Sequence, residues 1–259
     1  ASATGWQAYS ALASGTVTCH VDVPVAPNPG PGPDPKPDPN RPVDPKITGV
    51  ANSLETTDHR AYMVGNDQGQ FLPDNGITRA EVSQFYSLLK DKGNSADKAS
   101  FPDVKAGSWY TPAINTMAAL GILSGYPDGS FKPSQCISRA EFTAVAMRFA
   151  KMTTGKVAFS DVSKDYWAYD AISGAAAYRW IMGYADGTFR PLANITRAEA
   201  ARVVNTMLDR AGDKSFIDKA TGLKLFPDVA KANWAFYEIV EATNSHNYTR
   251  DKAGNELWK

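Results

Sequence analysis

Two residue types that often carry chemistry are scarce in this chain, whose 259 residues include only two cysteines and three histidines. Cys19 and Cys136 stand far apart in dissimilar surroundings, so the sequence predicts neither a disulfide framework nor a Cys/His metal cluster. An excess of charge is also missing, because 27 basic residues balance 27 acidic ones. Nucleic-acid binding needs a clear basic excess, so no nucleic acid is expected as a partner.

Long apolar runs are missing as well. No stretch approaches the roughly 18 apolar residues that suggest a spanning helix, so membrane insertion is not expected. No basic and apolar leader stands at Ala1, so a secretory signal is expected to have been removed or to lie upstream. Apolar residues nevertheless make up 43% of the chain, which is enough to bury a core in one large domain or two small ones.

Proline is concentrated in residues 24–46, where ten prolines occupy 23 positions. Because proline fixes φ and lacks an N–H, this stretch is predicted to stay outside helices and sheets. We interpret it as an extended spacer, with a disordered tail as the alternative. Residues 1–23 contain a strand-like alternation and are interpreted as the end of an upstream domain. Residues 47–259 then form a repeat domain.

The dominant positive feature of residues 47–259 is an internal repeat built from two elements. The first, the Gly-to-Glu element, runs without gaps and has an arginine fourteen residues after its glycine; its copies are Gly65–Glu81, Gly125–Glu141 and Gly183–Glu199. The second is Phe-x-Asp-Val with a tryptophan eight residues after its phenylalanine; its copies begin at Phe101, Phe159 and Phe226. The motif centres lie near 65–90, 101–150 and 159–210, with a closing half-motif at 226–259. Since the first Gly-to-Glu element and the last Phe-x-Asp-Val element lack neighbours along the chain, we expect these two to pack together.

Each Gly-to-Glu element ends in a helix start. Serine or threonine followed three residues later by glutamate is a capping box, in which the hydroxyl binds the N3 amide and the carboxylate binds the N-cap amide. The three predicted boxes are Thr78 with Glu81, Ser138 with Glu141 and Thr196 with Glu199. Apolar residues at helical spacing follow each box, so these six residues are expected to be structural.

An arginine occupies the first helical position after each cap. The three are Arg79, Arg139 and Arg197. A cation there is mildly unfavourable to the helix dipole, so its recurrence suggests another role. A guanidinium fork beside free helix-terminal amides suits a carboxylate or phosphate ligand. The alternative is a structural ion pair with the Phe-x-Asp-Val aspartates, which are Asp103, Asp161 and Asp228.

Aromatic residues and Asp-Gly turns also recur. The equivalent tryptophans are Trp109, Trp167 and Trp234. Core packing is the favoured interpretation for them, and stacking on a sugar ring in a groove is the alternative. The turns carry Tyr126 with Asp128 and Tyr184 with Asp186. The first copy differs, because Asn66 and Gln68 take the tyrosine and aspartate positions.

Together these elements resemble the S-layer homology family over residues 47–259. The family pattern is matched by FSDVSKDYWAYDAI, GYADGTFRP and ITRAE. The resemblance implies an all-α fold in which three motifs form one pseudo-threefold domain with grooves between them. It also implies an extracellular, non-catalytic cell-wall anchor without cofactor on the bacterial surface. Its partner would be a secondary cell-wall polysaccharide, typically carrying a pyruvate ketal on N-acetylmannosamine.

The resemblance carries the family's ligand contacts onto arginines, tryptophans and turn residues of this chain. They are Arg79, Arg139, Arg197, Trp109, Trp167, Trp234, Tyr126, Asp128, Tyr184 and Asp186. The alternative function is a self-assembling lattice module whose partners are other surface-layer subunits.

Three further functions fit the sequence poorly. A wall hydrolase would need an acid/base pair or nucleophile, whereas His20, His59 and His246 share no motif and every repeated carboxylate has a turn or cap explanation. Choline-binding repeats would recur at a much shorter period. The Asp-Gly turns lack the oxygen-ligand pattern of calcium loops, so no metal site is predicted.

Overall fold

The computed structural model describes residues 42–90, 101–153, 155 and 159–259. The predicted upstream fragment 1–23, most of the proline stretch, Cys19 and His20 lie outside these residues.

Short helices separated by long turns dominate the described residues. The α-helices are α1 (Pro45–Thr48), α2 (Val50–Ser53), α3 (Arg79–Ser83), α4 (Thr111–Ala119), α5 (Arg139–Met147), α6 (Tyr169–Ala177), α7 (Arg197–Leu208), α8 (Lys214–Ile217) and α9 (Phe236–Thr243). A 3₁₀-helix, Gln84–Leu88, continues α3. Strands β1 (Tyr248–Arg250) and β2 (Glu256–Trp258) form an antiparallel hairpin in which Tyr248 pairs with Trp258.

The predicted all-α fold class is wrong. Only about a third of the structure is helical, the helices are short, and a small antiparallel sheet closes the chain. The physical reason is that the Gly-to-Glu elements are extended turns. Much of their backbone hydrogen bonding goes to neighbouring repeats and not into helices.

A closed ring of backbone hydrogen bonds joins the three Gly-to-Glu elements. The amide of Ile77 donates to the carbonyl of Ile195 (3.1 Å), that of Ile195 to Ile137 (3.2 Å) and that of Ile137 to Ile77 (3.0 Å). All three isoleucines are fully buried. Identical residues therefore make identical contacts around one centre.

The Phe-x-Asp-Val aspartates attach each second element to a Gly-to-Glu element. Each carboxylate accepts two backbone amides: Asp103 from Phe131 and Lys132 (2.9 and 2.7 Å), Asp161 from Phe189 and Arg190 (2.8 and 2.7 Å), Asp228 from Phe71 and Leu72 (3.0 and 2.7 Å). The second amide in each pair belongs to a non-glycine residue with φ of 56° or 57°, a left-handed conformation that is uncommon for such residues. The aspartates therefore hold a strained turn.

The Asp228 contact joins the last Phe-x-Asp-Val element to the first Gly-to-Glu element, as the spacing predicts. Phe226 packs on Phe71 with ring centroids 5.4 Å apart. The first repeat is therefore Gly65–Glu81 with the element at Phe226, the second is Phe101–Glu141 and the third is Phe159–Glu199.

The end of the proline stretch departs from its prediction. Pro45 begins α1, although the stretch was expected to stay outside helices. Proline is compatible with the first helical turn, because the N–H that it lacks has no helical partner there. Val43 also donates to the carbonyl of Tyr178 (3.4 Å), so residues 42–46 belong to the folded part.

Cys136 corrects a second expectation, because it is disulfide-bonded. It lies where the second and first Gly-to-Glu elements meet, in a bridge with Thr78. Gly76 is packed so closely there that a Cβ would lie 2.7 Å from the Cys136 sulfur. A larger residue would therefore disturb this contact.

One hydrophobic core runs through all three repeats and the closing segment. Its largest fully buried side chains include Phe71, Phe131 and Phe189, which are equivalent positions. No helix in the described ranges is long and apolar enough to cross a membrane.

Candidate functional site

The three capping boxes form as predicted. In each, the hydroxyl accepts the N3 amide at 3.2 Å, and the glutamate carboxylate accepts the N-cap amide at 2.8–2.9 Å. They are Thr78 with Glu81, Ser138 with Glu141 and Thr196 with Glu199. These six residues therefore take part in the hydrogen bonds of their helix starts.

The amides at the helix starts are not free, which corrects the premise of an open anion site. The Arg79 amide donates to Gln135 O (2.9 Å) and the Ala80 amide to Pro133 O (2.9 Å), both in the next repeat. Arg139 and Arg197 donate in the same way to Ala193 O and Asn75 O (both 2.8 Å). Together with the cap, these bonds use all of the first three amides.

Each arginine side chain crosses from one repeat to the next, and we call these three contacts seams. At the first seam Arg79 meets the second repeat, at the second seam Arg139 meets the third, and at the third seam Arg197 meets the first. Each Nε donates to a phenylalanine carbonyl: Phe131 O (2.8 Å), Phe189 O (2.9 Å) and Phe71 O (2.8 Å) respectively. The arginines are only 4%, 7% and 8% exposed, so they hold the repeats together.

The carboxylates that face the arginines come from the capping boxes and not from the predicted aspartates. Arg139 Nη1 lies 2.8 Å from Glu199 Oε1, and Arg197 pairs with Glu81. Arg79 differs, because no carboxylate of the described residues lies within 4.0 Å of it. Desolvation lowers the pKa of its guanidinium. Within the described residues, the first seam therefore holds an arginine that has no carboxylate within 4.0 Å, although Glu141 and Asp103 act on it from farther away.

The tyrosines of the turns lie at the first two seams. The Arg79 guanidinium lies 4.6 Å from the Tyr126 ring centre, and that of Arg139 lies 4.9 Å from Tyr184. Both hydroxyls donate to a capping-box glutamate at 3.2 Å, and burial raises the pKa of both phenols. At the third seam Asn66 replaces the tyrosine and binds within its own turn.

The turn aspartates do not reach the seam arginines. Asp128 Oδ1 accepts the Ser130 amide (2.9 Å) and hydroxyl (2.6 Å), and Asp186 does the same with Thr188 (3.0 and 2.6 Å). These bonds, led by the hydroxyl, lower the pKa of each carboxyl to about 2. Both are exposed side chains that shape their own turns.

Core packing, the favoured interpretation of the tryptophans, holds only for Trp234, which is partly buried and packs against the core. Trp167 is 62% exposed, while Trp109 and Trp234 are half-buried. Trp167 lies against Tyr166 with ring centroids 5.8 Å apart, and Trp234 lies 5.9 Å from Arg202 and not at a seam arginine. Burial in the core therefore does not explain why a tryptophan occupies position 167.

Sequence reasoning missed a cluster of ionisable side chains where the chain closes. His59 and His246, which are 187 residues apart, lie 3.1 Å from each other by ring nitrogens, with Glu241 and Glu256 beside them. No spacing rule connects residues at such separations, and only the predicted pairing of the first and last elements points to this region.

The fold and the seams define a class of protein: a tandem-repeat domain closed by its first and last half-repeats, with an arginine at every junction. A family model described as the S-layer homology domain matches residues 59–83, 100–143 and 158–201. The chain therefore belongs to the S-layer homology family, as its sequence predicts.

Proteins of several kinds share this region. Cell surface glycoprotein 1 of Acetivibrio thermocellus is 36% identical over 206 residues, which cover 74% of this chain and 9% of that protein. The cellulosome-anchoring protein of the same species is 34% identical over 219 residues, covering 80% and 47%. The amylopullulanase of Thermoanaerobacterium thermosulfurigenes is 33% identical over 169 residues, covering 62% and 9%. The chain spans less than half the length of each of these relatives.

Proposed function

We propose that this chain is a non-covalent anchor that holds a larger protein on the bacterial cell wall by binding its polysaccharide. The extracellular surface location predicted from the sequence agrees with the family and with the relatives. We further propose that the polysaccharide carries the pyruvate ketal on N-acetylmannosamine that the resemblance implies.

Anchoring is favoured because the shared region recurs in proteins with different names. One relative is named for cellulosome anchoring and another for an amylopullulanase activity. The region takes up only 9% of the amylopullulanase. A segment common to an anchoring protein and an enzyme is best explained by a task that both need, which is attachment. We therefore infer no catalytic role for it.

The single observation that carries the polysaccharide proposal is the exposure of Trp167. An indole that is 62% exposed leaves much of its apolar surface in contact with water. The protein therefore does not gain the free energy that burial of this surface would give. Aromatic faces of this kind can stack on the apolar face of a sugar ring. Trp109 and Trp234 occupy equivalent positions but are mostly buried, and Trp234 packs against the core, so they offer less free surface than Trp167.

The first seam is our candidate for an acidic substituent of the glycan, which would have to displace part of the cover over Arg79, because that side chain is only 4% exposed. Arg79 carries a positive charge that no described carboxylate within 4.0 Å neutralises, whereas Arg139 and Arg197 are already paired. A ketal-linked pyruvate is a small carboxylate that a guanidinium can bind through two N–H groups. A hydrogen bond to a charged group is worth about 1.5–3 kcal/mol, so firm attachment would need several contacts along one polymer.

Co-sedimentation of the full chain with purified wall polymer tests the proposal. We expect Trp167→Ala to weaken sedimentation about tenfold, since base–aromatic stacking of similar kind is worth about 1–3 kcal/mol. Met152→Ala is the matched control, because Met152 is equally exposed at 62% and stands outside the repeated elements. Removing the pyruvate from the polymer should weaken binding of the unmutated chain.

Two results would count against the proposal. Equal sedimentation of the Trp167 and Met152 variants would remove the stacking role. Assembly of the chain alone, seen as scattering that grows with concentration and does not change when polymer is added, would favour the lattice module instead.

A further inference from the structure

Four ionisable side chains meet inside the protein where the chain closes on itself. His59 precedes the first Gly-to-Glu element, and Glu241 lies on α9. His246 lies two residues before β1 of the terminal hairpin, and Glu256 is the first residue of β2. Their side chains are between 0% and 5% exposed. One atom from each residue can be chosen so that all four lie within 4.8 Å of one another.

The separations of these atoms are close to those of a four-coordinate metal site, although three of them are a few tenths of an ångström shorter than the distances between zinc ligands. His59 Nδ1 lies 3.1 Å from His246 Nε2 and 3.0 Å from Glu256 Oε1, and His246 Nε2 lies 2.9 Å from Glu256 Oε1. Glu241 lies 3.6 Å from His59 Nδ1 and 3.4 Å from His246 Nε2. Bonds of about 2.0–2.2 Å to a tetrahedral zinc ion place its donor atoms about 3.3–3.6 Å apart.

Glu241 gives an independent sign that something is bound there. Its side chain is completely buried, yet neither carboxylate oxygen has a hydrogen-bond partner in the described part of the chain. A buried carboxylate without hydrogen bonds is strongly unfavourable, because it loses its hydration and keeps only the contacts with the two histidines and the more distant charge of Arg210. A cation placed between Glu241 and the other three residues would supply the missing partner.

Neighbouring residues orient two of the four donors, His246 and Glu256, as they do in metal sites, whereas His59 Nε2 is buried without a hydrogen-bond partner among the described residues. His246 Nδ1 lies 3.0 Å from Asn244 O, which can only accept, so Nδ1 carries the proton and the Nε2 lone pair faces the cluster. Glu256 accepts from Trp258 Nε1 (3.0 Å) and from the Ala211 amide (3.2 Å). These contacts fix the ring and the carboxylate before any ion arrives.

The hairpin also covers the cluster with two aromatic rings. Tyr248 stacks on His59 at 3.8 Å between ring centres, and Trp258 stacks on His246 at 3.6 Å. Tyr248 and Trp258 are paired across β1 and β2. The register of the hairpin therefore positions the two rings that stack on His59 and His246. Arg210 fixes the His59 loop from outside by donating to the carbonyls of Asp58 and Arg60 (both 2.9 Å).

From this geometry we propose that His59, Glu241, His246 and Glu256 form a structural site for a divalent transition-metal ion of the zinc type. With neutral imidazoles, the two carboxylates carry two negative charges, which one divalent ion balances. Two nitrogen donors favour zinc-like ions over calcium or magnesium, which prefer oxygen. Four protein donors leave no open coordination position, so the ion has a structural and not a catalytic role. It would tie the start of the domain to its end.

The test is metal binding by the full chain, purified without a histidine tag and stripped with a chelator. We expect one Zn²⁺ or Co²⁺ per chain by titration calorimetry, the intense visible absorption of four-coordinate Co²⁺, and a raised melting temperature with Zn²⁺. Neither Ca²⁺ nor Mg²⁺ should raise the melting temperature in this way. These measurements use the unmutated chain, so their outcome does not depend on whether a variant folds.

Variants then locate the ion. His246→Ala and Glu256→Gln should weaken Zn²⁺ binding by more than about 100-fold, which is the upper range for loss of an outer-shell partner. Trp258→Phe keeps the stacking but removes the bond to Glu256, so we expect a loss of about tenfold. His20→Ala is the matched control, because it removes the remaining histidine of the sequence and should change nothing.

Two outcomes would overturn the proposal. If the unmutated chain binds no Zn²⁺ or Co²⁺ and its melting temperature does not respond, protons and not a metal hold the cluster. If binding survives unchanged in both ligand variants, the ion sits elsewhere.

Discussion

At the residue scale, the recurring arginines have a structural task that their position at a helix start conceals. The sequence predicts an unfavourable cation at each helix start, and the structure resolves the difficulty by directing the guanidinium into the next repeat. Arg139 donates to Phe189 O and to Glu199 Oε1, and very little of its side chain remains exposed. A buried charge of this kind depends on its partners.

Arg139→Ala should therefore lower the free energy of unfolding by about 3–5 kcal/mol, because it removes the charged partner of Glu199 and the donor to Phe189 O. The matched control is Arg190→Ala in the third repeat. Arg190 also pairs with a carboxylate, Asp186 at 3.0 Å, but both side chains are substantially exposed, and such pairs are worth about 0–1 kcal/mol. Urea denaturation of both variants checks this, and equal effects would contradict the structural role.

At the scale of the element, the sequence predicts helix starts well and other features poorly. The capping boxes follow from a local rule, so Thr78, Ser138 and Thr196 could be assigned from four consecutive residues each. The exposure of Trp167 could not be predicted in this way, because it depends on the direction in which the chain folds back after the turn. The short α3 also differs from the longer helix that its apolar spacing predicts, since it tightens into a 3₁₀-helix at Gln84.

The Asp-Gly turns give an element-scale prediction about pH. Hydrogen bonds from the Thr188 hydroxyl and amide lower the pKa of Asp186 from 3.8 to about 2. The lowered pKa means that the folded state favours the carboxylate, so its contribution is present above pH of about 4 and is lost as pH falls towards 2. The melting-temperature difference between the unmutated chain and Asp186→Asn should shrink over that range. Thr188→Val should act in the same direction, and a difference independent of pH would refute the assignment.

At the scale of the whole molecule, the three repeats form a closed cycle. The first and last elements of the domain contact each other and complete it. The isoleucine ring and the three aspartate contacts repeat around one centre, and the last contact joins residues 157 positions apart. The sequence predicted this closure from two orphan elements. It did not predict the cluster of His59 with His246, because nothing local marks residues that only the closure brings together.

Closure predicts that the last half-repeat unfolds with the rest. Asp228→Ala and Asp103→Ala remove equivalent pairs of hydrogen bonds, so each should lower the free energy of unfolding by about 1–3 kcal/mol. Both variants should keep one cooperative transition in calorimetry. A separate early transition in the Asp228 variant alone would show that the closing segment is an appendage.

The most direct measurement for the anchoring account is calorimetric titration of the full chain with a saccharide bearing pyruvylated N-acetylmannosamine. It compares Tyr126→Asn with Tyr184→Asn, two substitutions that copy the natural Asn66 of the first turn. Tyr126 lies beside the unpaired Arg79, and Tyr184 lies beside Arg139, which Glu199 already neutralises. We predict that Tyr126→Asn weakens binding about tenfold while Tyr184→Asn leaves it unchanged. Equal affinities, or a loss confined to Tyr184→Asn, would contradict the assignment of the glycan to the first seam.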